Sequence, residues 1–277
     1  MRSTPHPLVS AAELAAAPGT HALLDVRWFL KGGGREAYLD GHLPGAAFVD
    51  LDSELCGTPG ASGRHPLPDP ARLQAALRAA GVREGQPVVV YDAGGAPPTG
   101  AAARAWWTLR WAGLPDVRVL DGGYAAWAAA GLPTTTEVPS PAPGDVIVHP
   151  GRMSTVDADD VRALDVLVDA RAPERYRGET EPIDPVAGRI PGAVNQPVVE
   201  TVDAGGRLLG AAELRRRFEA LGVTDRGTVG AYCGSGVTAA ATVLALTVAG
   251  FDPVLYVGSW SHWITDPNRP VEKGEPG

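Results

Sequence analysis

The feature that most constrains this chain is that it repeats itself once along its length. Leu23-Leu24-Asp25-Val26-Arg27 returns as Leu167-Val168-Asp169-Ala170-Arg171, and Gly41-His42-Leu43-Pro44-Gly45-Ala46 returns as Gly188-Arg189-Ile190-Pro191-Gly192-Ala193. Val88 to Asp92 matches Thr228 to Cys233 in position, and Gly122 and Trp127 match Gly258 and Trp263. The offsets drift by a few residues, as loop insertions would cause. A repeat this long predicts two similar domains and not a solenoid of short units.

Each half reads as strands alternating with helices, which predicts an α/β fold with a mainly parallel sheet flanked by helices in each domain. In the first half, Ser10 and Glu13 have capping-box spacing. A short apolar strand ending in Asp-x-Arg follows, then a loop, the Gly-x-apolar-Pro-Gly-Ala turn and a strand over Ala47 to Asp50. A helix over Pro70 to Ala80, a strand over Val88 to Tyr91 and a helix over Ala101 to Ala112 come next. A strand over Val117 to Leu120 and a helix over Tyr124 to Ala129 complete it. The expected boundaries are 1–136 for a non-catalytic domain, 137–149 for a proline-bearing linker and 150–277 for a catalytic domain. The polar tail from Glu272 is expected to fray.

The halves differ where chemistry would sit. Thr228-Val229-Gly230-Ala231 reads as the end of a buried strand, and Ala239 to Leu246 as a buried helix. Between them stands Cys233-Gly234-Ser235-Gly236-Val237-Thr238. Gly234 and Gly236 are expected to allow positive φ, so that several amides turn toward the thiol. The helix N-terminus adds unpaired donors and partial positive charge, and both favour the thiolate. In the first half Asp92 takes the place of Cys233, and a carboxylate cannot do thiol chemistry.

Composition narrows the partners. The chain has 277 residues with 24 basic and 32 acidic side chains, a net charge of −8. No basic stripe suggests nucleic acid, although a local site can still attract an anion. Cys56 and Cys233 stand in no CxxC pattern, so neither a zinc site nor a disulfide framework is expected, and Cys56 reads as a bystander. Gly-Ser-Gly-Val-Thr lacks the lysine of a P-loop. No metal or other cofactor is expected. Trp106, Trp107 and Trp111 read as core. With no signal-peptide pattern and no bilayer-length apolar stretch, the expectation is a cytoplasmic protein that works as a monomer away from membranes.

The paired Asp-x-Arg strands, the paired Gly-Pro turns and the single cysteine loop together resemble the rhodanese family in its tandem-domain form. The loop is similar to that of the 3-mercaptopyruvate sulfurtransferases; thiosulfate-preferring members carry basic residues where Gly234 and Ser235 stand. The resemblance implies a sulfurtransferase in which Cys233 takes a sulfane sulfur from a small anionic donor, 3-mercaptopyruvate with thiosulfate as the alternative, and passes the persulfide sulfur to a thiol or cyanide. The amides of Gly234, Gly236, Val237 and Thr238 would cradle it. It also implies that Arg177 holds the donor's anionic end, and that Ser235, His65 and Asp52 form a proton relay. The second arginine of the mercaptopyruvate enzymes is absent from Glu181-Pro182-Ile183-Asp184-Pro185, where Arg189 is the nearest. A cysteine phosphatase would carry an arginine at Ala239. A non-catalytic binding module is the remaining alternative.

Overall fold

The computed structural model describes residues 6–275. Two compact units emerge. Unit 1 comprises the described residues up to Gly57 together with Leu67–Met153 and Asp203–Leu208, and unit 2 comprises Thr58–Pro66, Ser154–Val202 and the described residues from Leu209 onward. Sequence order and spatial membership therefore differ at two segments, and the first of these matters for the site.

Unit 1 is built from β1 (Leu8–Val9), α1 (Ala11–Ala15), β2 (Ala22–Asp25), α2 (Gly34–Asp40), β3 (Ala47–Phe48), α3 (Pro70–Ala79), β4 (Val88–Tyr91), α4 (Ala101–Trp111), β5 (Val117–Leu120) and α5 (Gly123–Ala129). Its sheet runs β1-β5-β4-β2-β3, with every pairing parallel. Parallel strands need both faces covered, and β4 is buried at all four positions. Ser10 caps α1 by the expected reciprocal bonds with Glu13. Trp106, Trp107 and Trp111 are buried on α4. Three expectations change here. The strand after the Gly-Pro turn ends at Phe48, two residues early, and the edge strand β1 was not foreseen. A seven-residue helix, α2, occupies what reads as a loop, because Gly32, Gly33 and Gly34 mask it in sequence while Gly33 supplies a left-handed start at φ 96°.

Unit 2 holds β6 (Val166–Asp169), α6 (Pro173–Tyr176), β7 (Val194–Asn195), α7 (Ala211–Ala220), β8 (Val229–Tyr232), α8 (Val237–Val248), β9 (Val254–Leu255) and α9 (Ser259–Trp263), with single 3-10 turns at Val161–Ala163 and Val198–Thr201. The sheet order is β7-β6-β8-β9, again all parallel. Where unit 1 has β1, unit 2 has only a bridge between Thr155 and Leu255. The tail from Glu272 is held and not frayed as far as it is described. Its backbone bridges Arg189, and the Gly274 N–H donates to the Arg177 carbonyl at 2.8 Å. No described helix is long and apolar enough to cross a membrane.

The duplication extends to individual hydrogen bonds. Arg27 grips Asp25 and donates to the Gly41 carbonyl; Arg171 grips Asp169 and donates to the Gly188 carbonyl. Tyr91 and Tyr232 hydroxyls accept from the Leu43 and Ile190 amides, and Trp127 and Trp263 donate to the Pro133 and Pro270 carbonyls. In each Gly-Pro turn, the amide of Ala46 or Ala193 donates back to the carbonyl of Leu43 or Ile190, and the second glycine takes φ 78° or 82°. That is the geometry of a Pro-Gly type II turn, whose positive φ at the third position favours glycine. These bonds fix the ends of β2, β4, β6 and β8, the edge from which the loops emerge.

Candidate active site

Cys233 follows β8 directly, at the carboxyl end of a central strand, and α8 begins four residues later. Ligands on parallel sheets collect at such ends. The Gly236 N–H donates to Cys233 Sγ at 3.1 Å. Gly236 holds φ 82° as the N-cap of α8, a conformation that costs an L-residue about 1–2 kcal/mol. Val237 and Thr238 open the helix, so their amides have no carbonyl partner within it. Gly234 departs from expectation, because its φ is not positive. Its constraint is one of space: a Cβ there would sit 2.9 Å from Arg64 Nη2 and 3.4 Å from Arg175 Nη2. Ser235 and Cys233 are both buried.

The loop is clamped from behind by α9. Trp260 and Ser261 amides donate to the Cys233 and Gly234 carbonyls at 3.0 and 2.9 Å, and the Cys233 amide donates to Ser259 Oγ at 3.1 Å. Ser259 stands at φ 53°, the one non-glycine with positive φ among the described residues. Sequence reading missed it, yet the repeat carried the signal. Gly123 fills the same place in unit 1 at φ 58°, and there Tyr124 and Ala125 donate to the Asp92 and Ala93 carbonyls. In unit 2 a hydroxyl that caps the cysteine amide replaces that conformational freedom.

Two guanidinium groups border Gly234, and neither belongs to Arg177. Arg177 donates to the Glu179 carboxylate at 2.7 Å on the surface. Arg175, two residues earlier, pairs with Glu181 at 2.7 Å and Asp184 at 3.3 Å. The other side of Asp184 is taken by Arg64, from the Thr58–Pro66 segment of unit 2. Both carboxylate side chains are 3% exposed, so they are buried anions neutralised by these pairs. Burial pulls the Arg64 guanidinium below its ordinary value, and the adjacent Cys233 acts in the opposite direction. His65, next to Arg64, is half-buried in the same unit. Asp52 lies in unit 1, where its carboxylate accepts from Trp28 Nε1 at 2.9 Å. Cys233, Ser235, Gly234, Gly236, Val237, Thr238 and His65 thus share unit 2 with Arg177, whose guanidinium is engaged elsewhere. No cluster of three or more metal-ligating side chains occurs among the described residues.

Unit 1 shows what the same architecture does without a thiol. The Asp92 carboxylate accepts from the amides of Gly94 and Ala102 and from the Thr99 hydroxyl, at 3.0 to 3.1 Å. The loop has filled its anion cradle with its own side chain.

The model of the rhodanese-like domain matches the chain twice, over residues 10–130 and 155–266. Two bacterial relatives align almost end to end. A Mycobacterium tuberculosis protein, SseB, provisionally named a thiosulfate sulfurtransferase, is 48% identical over 96% of this chain and 97% of its own. A Pseudomonas aeruginosa protein, provisionally named a 3-mercaptopyruvate sulfurtransferase, is 47% identical over 97% and 98%. Among solved structures, SseA from Escherichia coli, described as a 3-mercaptopyruvate sulfotransferase, superposes with a TM-score of 0.81 at 32% identity, covering 93% of this chain and all of that one. The 3-mercaptopyruvate sulfurtransferase from Leishmania major gives 0.84 at 28% identity, over 97% and 76%. Duplicated sheets, a lone loop cysteine and end-to-end relatedness agree: this chain belongs to the rhodanese family, with two rhodanese-like domains, and is a sulfurtransferase.

Proposed function

We propose that the chain moves a sulfane sulfur from 3-mercaptopyruvate, through a persulfide on Cys233, to a thiol or cyanide. The observation that carries this reading is the pairing of a sulfur that accepts an amide N–H at 3.1 Å with a guanidinium, that of Arg175, across Gly234. The Cys233 thiolate attacks the donor's sulfur and an S–S bond forms. The C–S bond breaks and its electron pair stays on carbon as the pyruvate enolate, which takes up a proton. Both sulfurs are oxidised by one step and the carbon is reduced, so no outside oxidant is needed. The acceptor then attacks the outer sulfur and the thiolate leaves.

Arg175 takes the donor's carboxylate in this scheme, in place of Arg177, because a guanidinium fork fits a carboxylate with parallel bonds. Mercaptopyruvate is preferred over thiosulfate on chemical grounds. An enolate leaving group needs a proton and sulfite does not, and Ser235 sets a hydroxyl two residues from the sulfur. We assign proton delivery to Ser235 with His65; Asp52 keeps its place in that relay on the resemblance alone. The proposed compartment is the cytoplasm, whose reducing conditions keep a lone thiol available, and the proposed working form is a monomer.

The second reading, thiosulfate as donor, is favoured by the name of the Mycobacterium relative. Turnover with each donor, cyanide being the acceptor, decides between them, together with intact mass of the donor-treated protein. Mercaptopyruvate is expected to add one sulfur to the wild type and none to Cys233→Ser. Thiocyanate formed from thiosulfate alone would overturn the donor assignment. An unlabelled Cys233 with both donors would overturn the mechanism.

A further inference from the structure

The segment Thr58–Pro66 lies far from Cys233 in sequence but folds into the same unit. A tight turn, with reciprocal backbone bonds between Gly60 and Gly63, starts it. Gly63 packs so closely that a Cβ would sit 2.8 Å from the Gly258 carbonyl and 2.9 Å from Ser261 Oγ. The Arg64 amide then donates to Ser261 Oγ at 3.1 Å, and that hydroxyl donates to the Gly258 carbonyl. The backbone that presents Arg64 is therefore anchored to α9, the helix that clamps the cysteine loop. The guanidinium is anchored too, since its Nη1 is held on Asp184. That leaves Nη2 facing Gly234, with no hydrogen-bond partner among the described residues. The Arg64 side chain keeps 30% of its surface exposed, twice the share of Arg175.

The charges explain why this is an anion site and not a neutral cluster. Glu181 and Asp184 balance Arg64 and Arg175, with Asp184 on Nη1 of Arg64 and both carboxylates on Nη2 of Arg175, and the atoms nearest a Cβ at Gly234 are Arg64 Nη2 at 2.9 Å and Arg175 Nη2 and Nη1 at 3.4 and 3.7 Å. The face at Gly234 presents N–H donors only. Asp184 bonds to both arginines at once and so fixes their spacing.

We propose that Arg64 is a second anion-holding residue of this site: it binds the carboxylate or sulfonate end of the sulfur donor together with Arg175, and Asp184 positions both. This rests on the sulfur-transfer reading above. It also supplies, from an unrelated segment, the second cation that Glu181 to Pro185 lacks.

The test compares alkylation of Cys233 by iodoacetate and by iodoacetamide, which have the same length and leaving group and differ in one negative charge. Peptide mapping reads Cys233 and, as a fold control, buried Cys56. In wild type the iodoacetate-to-iodoacetamide rate ratio should exceed that of free cysteine. Arg64→Gln should lower it about tenfold or more, the range for one charge-assisted bond, and raise the KM for mercaptopyruvate similarly. If Arg64→Gln exposes Cys56 to alkylation, Arg64→Lys decides. It keeps the charge but not the fork held on Asp184, and its ratio should also fall. An unchanged ratio in the folded variant overturns the proposal. Equal slowing of both reagents does so as well, because Arg64 would then act on the sulfur and not on the donor. A wild type that gains no sulfur overturns the underlying reading and the donor role with it. That failure is visible separately, since alkylation requires no sulfur transfer.

Discussion

Two glycines two positions apart on the chain do different work, and substitution separates them. Gly236 is fixed by its φ of 82°. Gly236→Ala is expected to cost about 1–2 kcal/mol in denaturant unfolding and to slow sulfur uptake by moving the amide that points at Sγ. Gly234 is fixed by two guanidinium tips, side-chain ends that can shift slightly without leaving Asp184. Gly234→Ala should therefore melt close to wild type and show its defect in the KM for the donor. Ser259 gives a third case. Ser259→Ala keeps an unfavourable φ and strands the buried Cys233 N–H, a loss of about 1–3 kcal/mol. Ser259→Gly loses the same bond but relieves the backbone, so it should be the more stable of the two. Equal melting temperatures would contradict this account of the residue.

At the scale of elements, the buried Asp169–Arg171 pair ties the end of β6 to the Gly-Pro turn. Asp169→Ala breaks the short buried pair and leaves Arg171 with only the longer Glu181 contact at 3.5 Å as a counter-charge, so it should cost about 3 kcal/mol, more than Ser10→Ala at the α1 cap, where about 1 kcal/mol is expected. On α9, burial first and then the positive Arg269 push the His262 pKa below its ordinary value, and its Nδ1 lies 2.9 Å from the Tyr256 hydroxyl. A histidine with a depressed native pKa binds its proton more readily in the unfolded chain. Its contribution is complete above about pH 6.5 and is lost as pH falls from there toward the native value. His262→Gln should flatten that part of the acid-unfolding profile. An unchanged slope between pH 6.5 and 5 would remove His262 from the account.

At the scale of the whole molecule, duplication divides the labour. Unit 1 keeps the strand, the loop and the helix but satisfies the cradle with Asp92. Asp92→Cys in a Cys233→Ser background is therefore expected to take up no sulfur by intact mass, because a cradle needs a donor-binding cation as well as a thiol. Sulfur uptake at that position would show that the cradle alone suffices.

The local pattern of the chain carries its fold. Apolar runs of four residues ending in Asp-x-Arg, Pro-Gly turns that require positive φ, and an alanine-rich helix after the cysteine are each decided by bonds within a few residues. The repeat then confirms every one of them twice. It also held the clue to Ser259, through Gly123. Local pattern could not show α2, since three glycines hide a short helix whose stability comes from packing. Nor could it tell Arg175 from Arg177: both are arginines on the same turn, and only the buried Glu181 and Asp184 draw one toward Gly234 while Glu179 holds the other at the surface. Arg64 was the least legible, because nothing near it in sequence belongs to the site. Its place depends on a buried carboxylate 120 residues away, and the strength of such a pair is set by the loss of water that only the tertiary structure brings about.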